Sequence, residues 1–136
     1  MANRGYAVLN INYRGSTGFG KNFINASNLQ WGAKMQDDLL DAVNWTVEKG
    51  IADPSKLAVM GGSYGGYATL AAITFTPKIF VCGVDVCGHS NLASQLLSIL
   101  PYWKPEVELE FNRVGDYRTA EGQKFLSIAL ASELRG

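Results

Sequence analysis

A chain of 136 residues, 47% hydrophobic and 18% charged, suits one compact globular domain and is too apolar for disorder. Twelve Lys plus Arg balance twelve Asp plus Glu, which removes the electrostatic case for nucleic acid or an anionic membrane as the main partner. No apolar run approaches the ~20 residues that span a bilayer. The opening Met-Ala-Asn-Arg-Gly-Tyr lacks a signal-peptide layout, so the expected compartment is the cytoplasm.

In chain order, Tyr6-Ala7-Val8-Leu9-Asn10-Ile11-Asn12 reads as a short strand. The loop Arg14 to Gly20 stops it, and its glycines permit tight turning. Lys21 to Asn28 suits a short helix. From Ala33 to Lys49, Met35, Leu39, Ala42, Val43 and Val47 recur at helical spacing. Asp37 and Asp38 sit near its first turn and Lys49-Gly50 at its end, matching the helix dipole and a glycine stop. Asp53-Pro54-Ser55 is a turn, Leu57 to Met60 a buried strand ended by Gly61 and Gly62, and Tyr64 to Phe75 a helix stopped before Pro77. Phe80 to Val86 reads as a third buried strand. Asn91 caps a helix running to Leu100, where Pro101 breaks it. Pro101 to Tyr117 reads as irregular and Gln123 to Leu134 as a final helix.

Strands alternating with helices imply an α/β fold with a parallel sheet, flanking helices and ligands at the carboxyl ends of the strands. Three strands are few for such a sheet, because its edges stay open and both faces want cover. Cys82 and Cys87 lie an odd number of residues apart, on opposite faces of an extended segment, and read as two small buried hydrophobes. Without a Cys/His cluster there is no zinc ligand set, and no cofactor is expected.

Gly61-Gly62-Ser63-Tyr64-Gly65 fits G-x-S-x-G, directly after a strand and directly before a helix. That context is the nucleophile elbow of an α/β-hydrolase, a strained turn that lifts the serine hydroxyl clear of the sheet. The elbow glycines are expected to be required because a Cβ there collides with neighbouring backbone. Ser63 is the candidate nucleophile, and the Tyr64 N–H, at the positive end of the helix, the candidate oxyanion donor.

With Arg4 to Val8, Asn12-Tyr13-Arg14-Gly15-Ser16-Thr17-Gly18-Phe19-Gly20, Trp31-Gly32, Asp37-Asp38, Asp53-Pro54, Pro101-Tyr102-Trp103 and Arg113-Val114-Gly115-Asp116, the elbow resembles the catalytic domain of the prolyl oligopeptidase family of serine peptidases. The acylaminoacyl-peptidase and dipeptidyl-aminopeptidase branch is the nearest in pattern. The resemblance covers residues 4–118 and leaves a divergent tail, 119–136, within one truncated α/β-hydrolase domain. It implies Ser63 as nucleophile and cleavage of ester or peptide bonds near the end of a short substrate. It also implies that loops after the third strand line the substrate pocket. The family's triad acid and histidine come from loops farther downstream, and its His-Gly-Gly-Pro oxyanion motif from upstream, so the chain is expected to be a central slice.

Within the chain, His89 is the sole imidazole. It follows the third strand at the edge expected for Ser63, and reads either as the general base or as a polar loop residue beside the pocket. Asp85 reads either as an acid near the same edge or as an acceptor for local backbone donors, and Asp116, in a stretch that resembles the family, as structural. Tyr13, Phe19, Tyr67, Tyr102 and Trp103 form either an aromatic wall for a substrate or ordinary packing. Arg14 and Arg113 either hold a carboxylate, shape loops or sit in surface ion pairs. The reading is a serine hydrolase of small esters or short peptides. The alternative is a weak or inactive fragment acting as a self-associating module. Homo-oligomerisation is expected in either case, from the open sheet edges and the apolar run Phe125 to Leu130.

Overall fold

Strands β1 (Ala58–Gly62) and β2 (Cys82–Val86) run parallel, joined by helix α3 (Tyr64–Phe75) in a βαβ unit. The computed structural model describes residues 1–130. Helices α1 (Lys21–Asn25) and α2 (Lys34–Glu48) precede the unit. Helices α4 (Leu92–Ser98), α5 (Lys104–Val114) and α6 (Ala120–Leu130) follow it, with a 3₁₀ turn at Pro101–Trp103. The architecture is α/β, as expected, with a parallel sheet and flanking helices.

Register explains how the sheet is dressed. Ala58, Met60 and Gly62 pair with Cys82, Val84 and Val86, while Val59 and Gly61 pair with Gly83 and Asp85. Alternation sends the two sets to opposite faces. The second set meets α3: a Cβ on Gly83 would press on Ile73 and Thr69, and one on Gly61 would strike the Gly65 backbone. Small residues let α3 lie this close, since Gly66, Ala68, Thr69, Ala71 and Ala72 are all buried. The first set is uncovered among the described residues, leaving Met60 55%, Val84 48% and Val86 49% exposed.

The expected burial of the strands is therefore corrected. Both carry exposed apolar side chains because α3 covers one face only. Cys82 and Cys87, expected to be buried, are exposed free thiols. Gly61 and Gly62 do not end β1 but belong to it.

Tyr6–Asn12 is not a strand among the described residues, although its pattern fits one. The segment pairs with neither β1 nor β2, which bond to each other alone among the described residues. Pro101 to Tyr117, expected to be irregular, holds the eleven-residue α5. Its Pro105 falls in the first turn, where a missing N–H leaves no bond unmade. Helix α6 starts three residues earlier than expected, at Ala120, and the expected positions 131–134 lie outside the described residues.

The core sits among the helices rather than on the sheet. Tyr67, Leu92, Leu96, Phe111, Val114 and Leu126 form one buried cluster, with Trp31, Tyr64 and Tyr117 packed against it. Leu126 of the apolar tail is thus in the core rather than on the surface. Asn91 caps α4 as expected, its side-chain oxygen accepting from the Ser94 N–H at 2.9 Å.

Asp38 does more than complement a dipole. Arg14 donates from Nε (2.8 Å), Nη2 (2.7 Å) and its backbone N–H (3.0 Å) to the Asp38 carboxylate, tying the glycine loop to α2. The guanidinium bonds, more than the backbone bond, hold Asp38 below the usual carboxylate range against the opposing effect of burial. A carboxylate depressed in the folded state stabilises the fold above its unfolded value of about 4, and that contribution fades as pH falls through the lower folded value. Asp38→Asn should therefore lower the urea midpoint at pH 7, and the gap from the parent should close toward about pH 2. A gap that stays constant over that range counts against the pair.

Candidate active site

Ser63 is the single residue between β1 and α3, and it carries the whole reversal. Its backbone stands at φ 54°, ψ −119°, a left-handed conformation that side chains rarely adopt. Such a residue costs roughly 1–3 kcal/mol and persists only where its surroundings over-determine it. Its N–H donates to the Val86 carbonyl (3.0 Å), continuing the ladder, and its carbonyl accepts from the Tyr67 N–H (3.1 Å), opening the helix. The side chain is left exposed and, among the described residues, makes no hydrogen bond.

The Tyr64 N–H is equally free. It opens α3, so no intrahelical carbonyl can accept from it, and no other acceptor among the described residues takes its place. An orphan donor at a helix N-terminus beside an exposed hydroxyl is a binding point for developing negative charge.

The glycines divide unequally. A Cβ on Gly61 would meet the Gly65 carbonyl, and one on Gly66 would meet Asp85 Oδ1 and the Gly88 backbone. Gly65 has open space around its Cβ position, and Gly62 only ordinary contacts from 3.6 Å outward. The expectation that every elbow glycine is sterically required is corrected to Gly61 and Gly66.

Strand β2 ends level with Ser63, so Cys87, Gly88 and His89 leave the sheet at the same carboxyl edge. Cys87 also has positive φ, 51°. His89 is half-buried and makes no hydrogen bond to Ser63 or any other described residue. Asp85 accepts from the Gly88 N–H at 2.8 Å, and Asp116 from the Arg118 N–H and guanidinium. Both are local acceptors, the role expected for Asp85. Arg113 joins the framework by main chain, its carbonyl accepting from the Leu29 N–H at 2.8 Å.

The aromatic residues form two groups. Tyr64 packs on Tyr13 (5.2 Å between ring centroids), Trp31 (4.6 Å) and Tyr67 (6.0 Å), and Trp31 also meets Tyr67 at 5.2 Å. Tyr67 is only 5% exposed, and its hydroxyl and that of Tyr64 have no hydrogen-bond partner among the described residues. Burial pushes the Tyr67 hydroxyl up to about 12 and raises Tyr64 and Tyr13 as well. These phenols stay neutral near pH 7 and cannot serve as bases. Tyr102 and Trp103 lie together elsewhere, 6.4 Å apart, both exposed. Trp103 lines a groove of about 310 Å³ with Gln95, Ile99, Leu100, Val107 and Glu110, a lining that does not include Ser63. Phe19 pairs with Phe23 instead. Trp31 was legible only as part of a familiar stretch. Its role depends on Gly32, at φ 68°, which leaves room for the Tyr67 hydroxyl.

The prolyl oligopeptidase family profile matches residues 1–126, a match that reaches beyond Arg118 into α6. The chain belongs to the prolyl oligopeptidase family. It is 56% identical over 127 residues to dipeptidyl aminopeptidase BIII of Pseudoxanthomonas mexicana, covering 93% of this chain and 18% of that protein. It is 62% identical over 103 residues to dipeptidyl peptidase family member 6 of Caenorhabditis elegans, covering 76% of this chain and 14% of that protein. Among solved structures, a puromycin-hydrolyzing peptidase of Mycobacterium tuberculosis superposes with a TM-score of 0.73 at 34% identity, over 85% of this chain and 17% of that one. The chain thus spans less than a fifth of the length of these family members.

The unequal glycines give a direct test of the elbow's packing. Gly61→Ala should destabilise the chain by about 2 kcal/mol or more, since a backbone carbonyl must move to admit the methyl. Gly65→Ala should leave stability unchanged or raise it by up to ~1 kcal/mol through helix propensity. Urea midpoints of the two variants measure both, and equal losses would contradict the packing described.

Proposed function

We propose that this chain carries the nucleophile and half of the oxyanion site of a serine hydrolase that cleaves small ester or short peptide bonds. The observation that supports it best is the backbone of Ser63, strained at φ 54° between β1 and α3 with its hydroxyl exposed beside the free Tyr64 N–H. Ser63 Oγ attacks the substrate carbonyl carbon as its proton leaves to a base. The carbonyl oxygen becomes an oxyanion held by the Tyr64 N–H, and collapse expels the leaving group and forms an acyl-serine. Water then releases the acid and regenerates Ser63. The family's name and those of the relatives, a dipeptidyl aminopeptidase and a puromycin-hydrolyzing peptidase, fit short substrates with an accessible end. Tyr67 backs the site from the core, whereas Trp103, on a groove whose lining does not include Ser63, and Tyr102 beside it are not substrate contacts in this reading. A cytoplasmic compartment is part of the reading, and neither nucleic acid nor a membrane is a proposed partner.

The base is the open position. His89 shares the edge with Ser63 but makes no bond to it, and in this reading it is a polar bystander. Water or a neighbouring subunit then takes the proton, and turnover is low. Positioning and oxyanion stabilisation alone leave ~10³–10⁴-fold over water when triad partners are removed from a serine protease.

A second reading rests on the uncovered sheet face. Met60, Val84 and Val86 stand exposed beside two open strand edges, a surface that favours self-association. In that reading the chain is a self-associating module and its hydrolysis is incidental.

Mass spectrometry after a fluorophosphonate probe should find the adduct on Ser63, and Ser63→Ala should abolish both the adduct and hydrolysis of short-chain nitrophenyl esters. An unlabelled Ser63, or full activity in the variant, ends the assignment. His89→Ala should change the rate by less than ~3-fold, whereas loss of a general base costs ~10²-fold or more. Light scattering at micromolar concentration should give a dimer or larger, and a monomer would remove the second reading.

A further inference from the structure

We infer that Asp85 is a positioning residue for the Ser63 site, acting through the loop after β2 and the first turn of α3. Its place follows from register. Asp85 pairs with Gly61, on the sheet face that meets α3, just below the point where both strands end. Asp85 is exposed, like the rest of β2, and its Oδ1 is committed: it accepts from the Gly88 N–H at 2.8 Å.

Around that oxygen there is no spare room. A methyl added at Gly66 would meet Asp85 Oδ1 and the Gly88 backbone. One added at Gly88 would meet Asp85 Oδ1, the Gly66 carbonyl carbon and the Tyr67 nitrogen. Asp85, Gly66 and Gly88 are thus in three-way contact. Gly66 stands two residues after Tyr64, whose free N–H faces the site, and Gly88 immediately precedes His89. One side chain therefore joins the helix turn carrying the oxyanion donor to the loop that forms the neighbouring rim.

A second contribution is electrostatic. The first turn of α3 holds no acidic residue, and its N-cap, Ser63, makes no side-chain capping bond. Asp85 brings the carboxylate that this helix start lacks, in contact with its third residue.

Two variants separate the bond from the charge. Asp85→Ala removes the acceptor, and Asp85→Asn keeps an oxygen of the same reach. In the whole chain, Asp85→Ala should shift the backbone amide resonances of Gly88 and Tyr64, and speed hydrogen exchange at Gly88, without loss of far-ultraviolet helix signal. It should also slow fluorophosphonate labelling of Ser63 by ~10-fold or more, and Asp85→Asn should restore both to within ~3-fold. Gly88 and Tyr64 amides that are unmoved in Asp85→Ala overturn the inference, as does an Asn variant that restores neither. The labelling arm rests on the reading of Ser63 as nucleophile. If the parent chain itself is not labelled, that reading fails, and the amides alone decide the role of Asp85.

Discussion

A strand that passes directly into a helix leaves one residue to reverse the backbone, and here it is a serine in the left-handed region. That conformation disfavours any side chain, so neighbouring parts must hold it. The β1–β2 ladder fixes one end through the Ser63 N–H, and the first helical bond of α3 fixes the other. Gly61 and Gly66 supply the clearance, one beneath the Gly65 carbonyl and one against Asp85 and Gly88. The exposed hydroxyl and the free Tyr64 N–H are consequences of this turn.

Burial is distributed in a way that serves the turn more than the sheet. The apolar cluster of Tyr67, Leu92, Leu96, Phe111, Val114 and Leu126 braces the outer side of α3. The sheet holds only its inner side, and the far face of the sheet is bare among the described residues. The elbow is held by the packing of α3 on both strands, and the helical cluster reaches α3 through Tyr67. The chain belongs to the prolyl oligopeptidase family, spans under a fifth of its relatives' length, and has a sheet of two described strands.

The electrostatics of the edge are sparse. The tyrosines around Ser63 are held neutral by burial, and the strong ion pair of the region, Arg14 with Asp38, anchors a loop to α2. What remains to stabilise charge at Ser63 is backbone: an orphan N–H and the helix dipole behind it. Such groups need no reorganisation when charge develops beside them.

Much of this was legible in the residues. The boundaries of α3, the cap at Asn91, the helix from residue 34 to 48 and the elbow between strand and helix all follow from local rules: periodicity, capping chemistry and glycine placement. Such rules act over a few residues, and one sequence carries them whole. The misreadings share a different cause. Tyr6 to Asn12 has strand composition but pairs with no described strand. Cys82, Met60 and Val84 have core composition but no layer above them among the described residues. Leu126 looked like exposed tail and is core. Asp38 looked like a dipole partner and is the anchor of Arg14. The contact of Asp85 with Gly66 and Gly88 joins residues far apart in the chain. Local pattern determined which segments turn, coil or extend, whereas burial, pairing and contact depend on what lies opposite. Only the tertiary structure decides that, because it is a property of two surfaces and the sequence writes each of them separately.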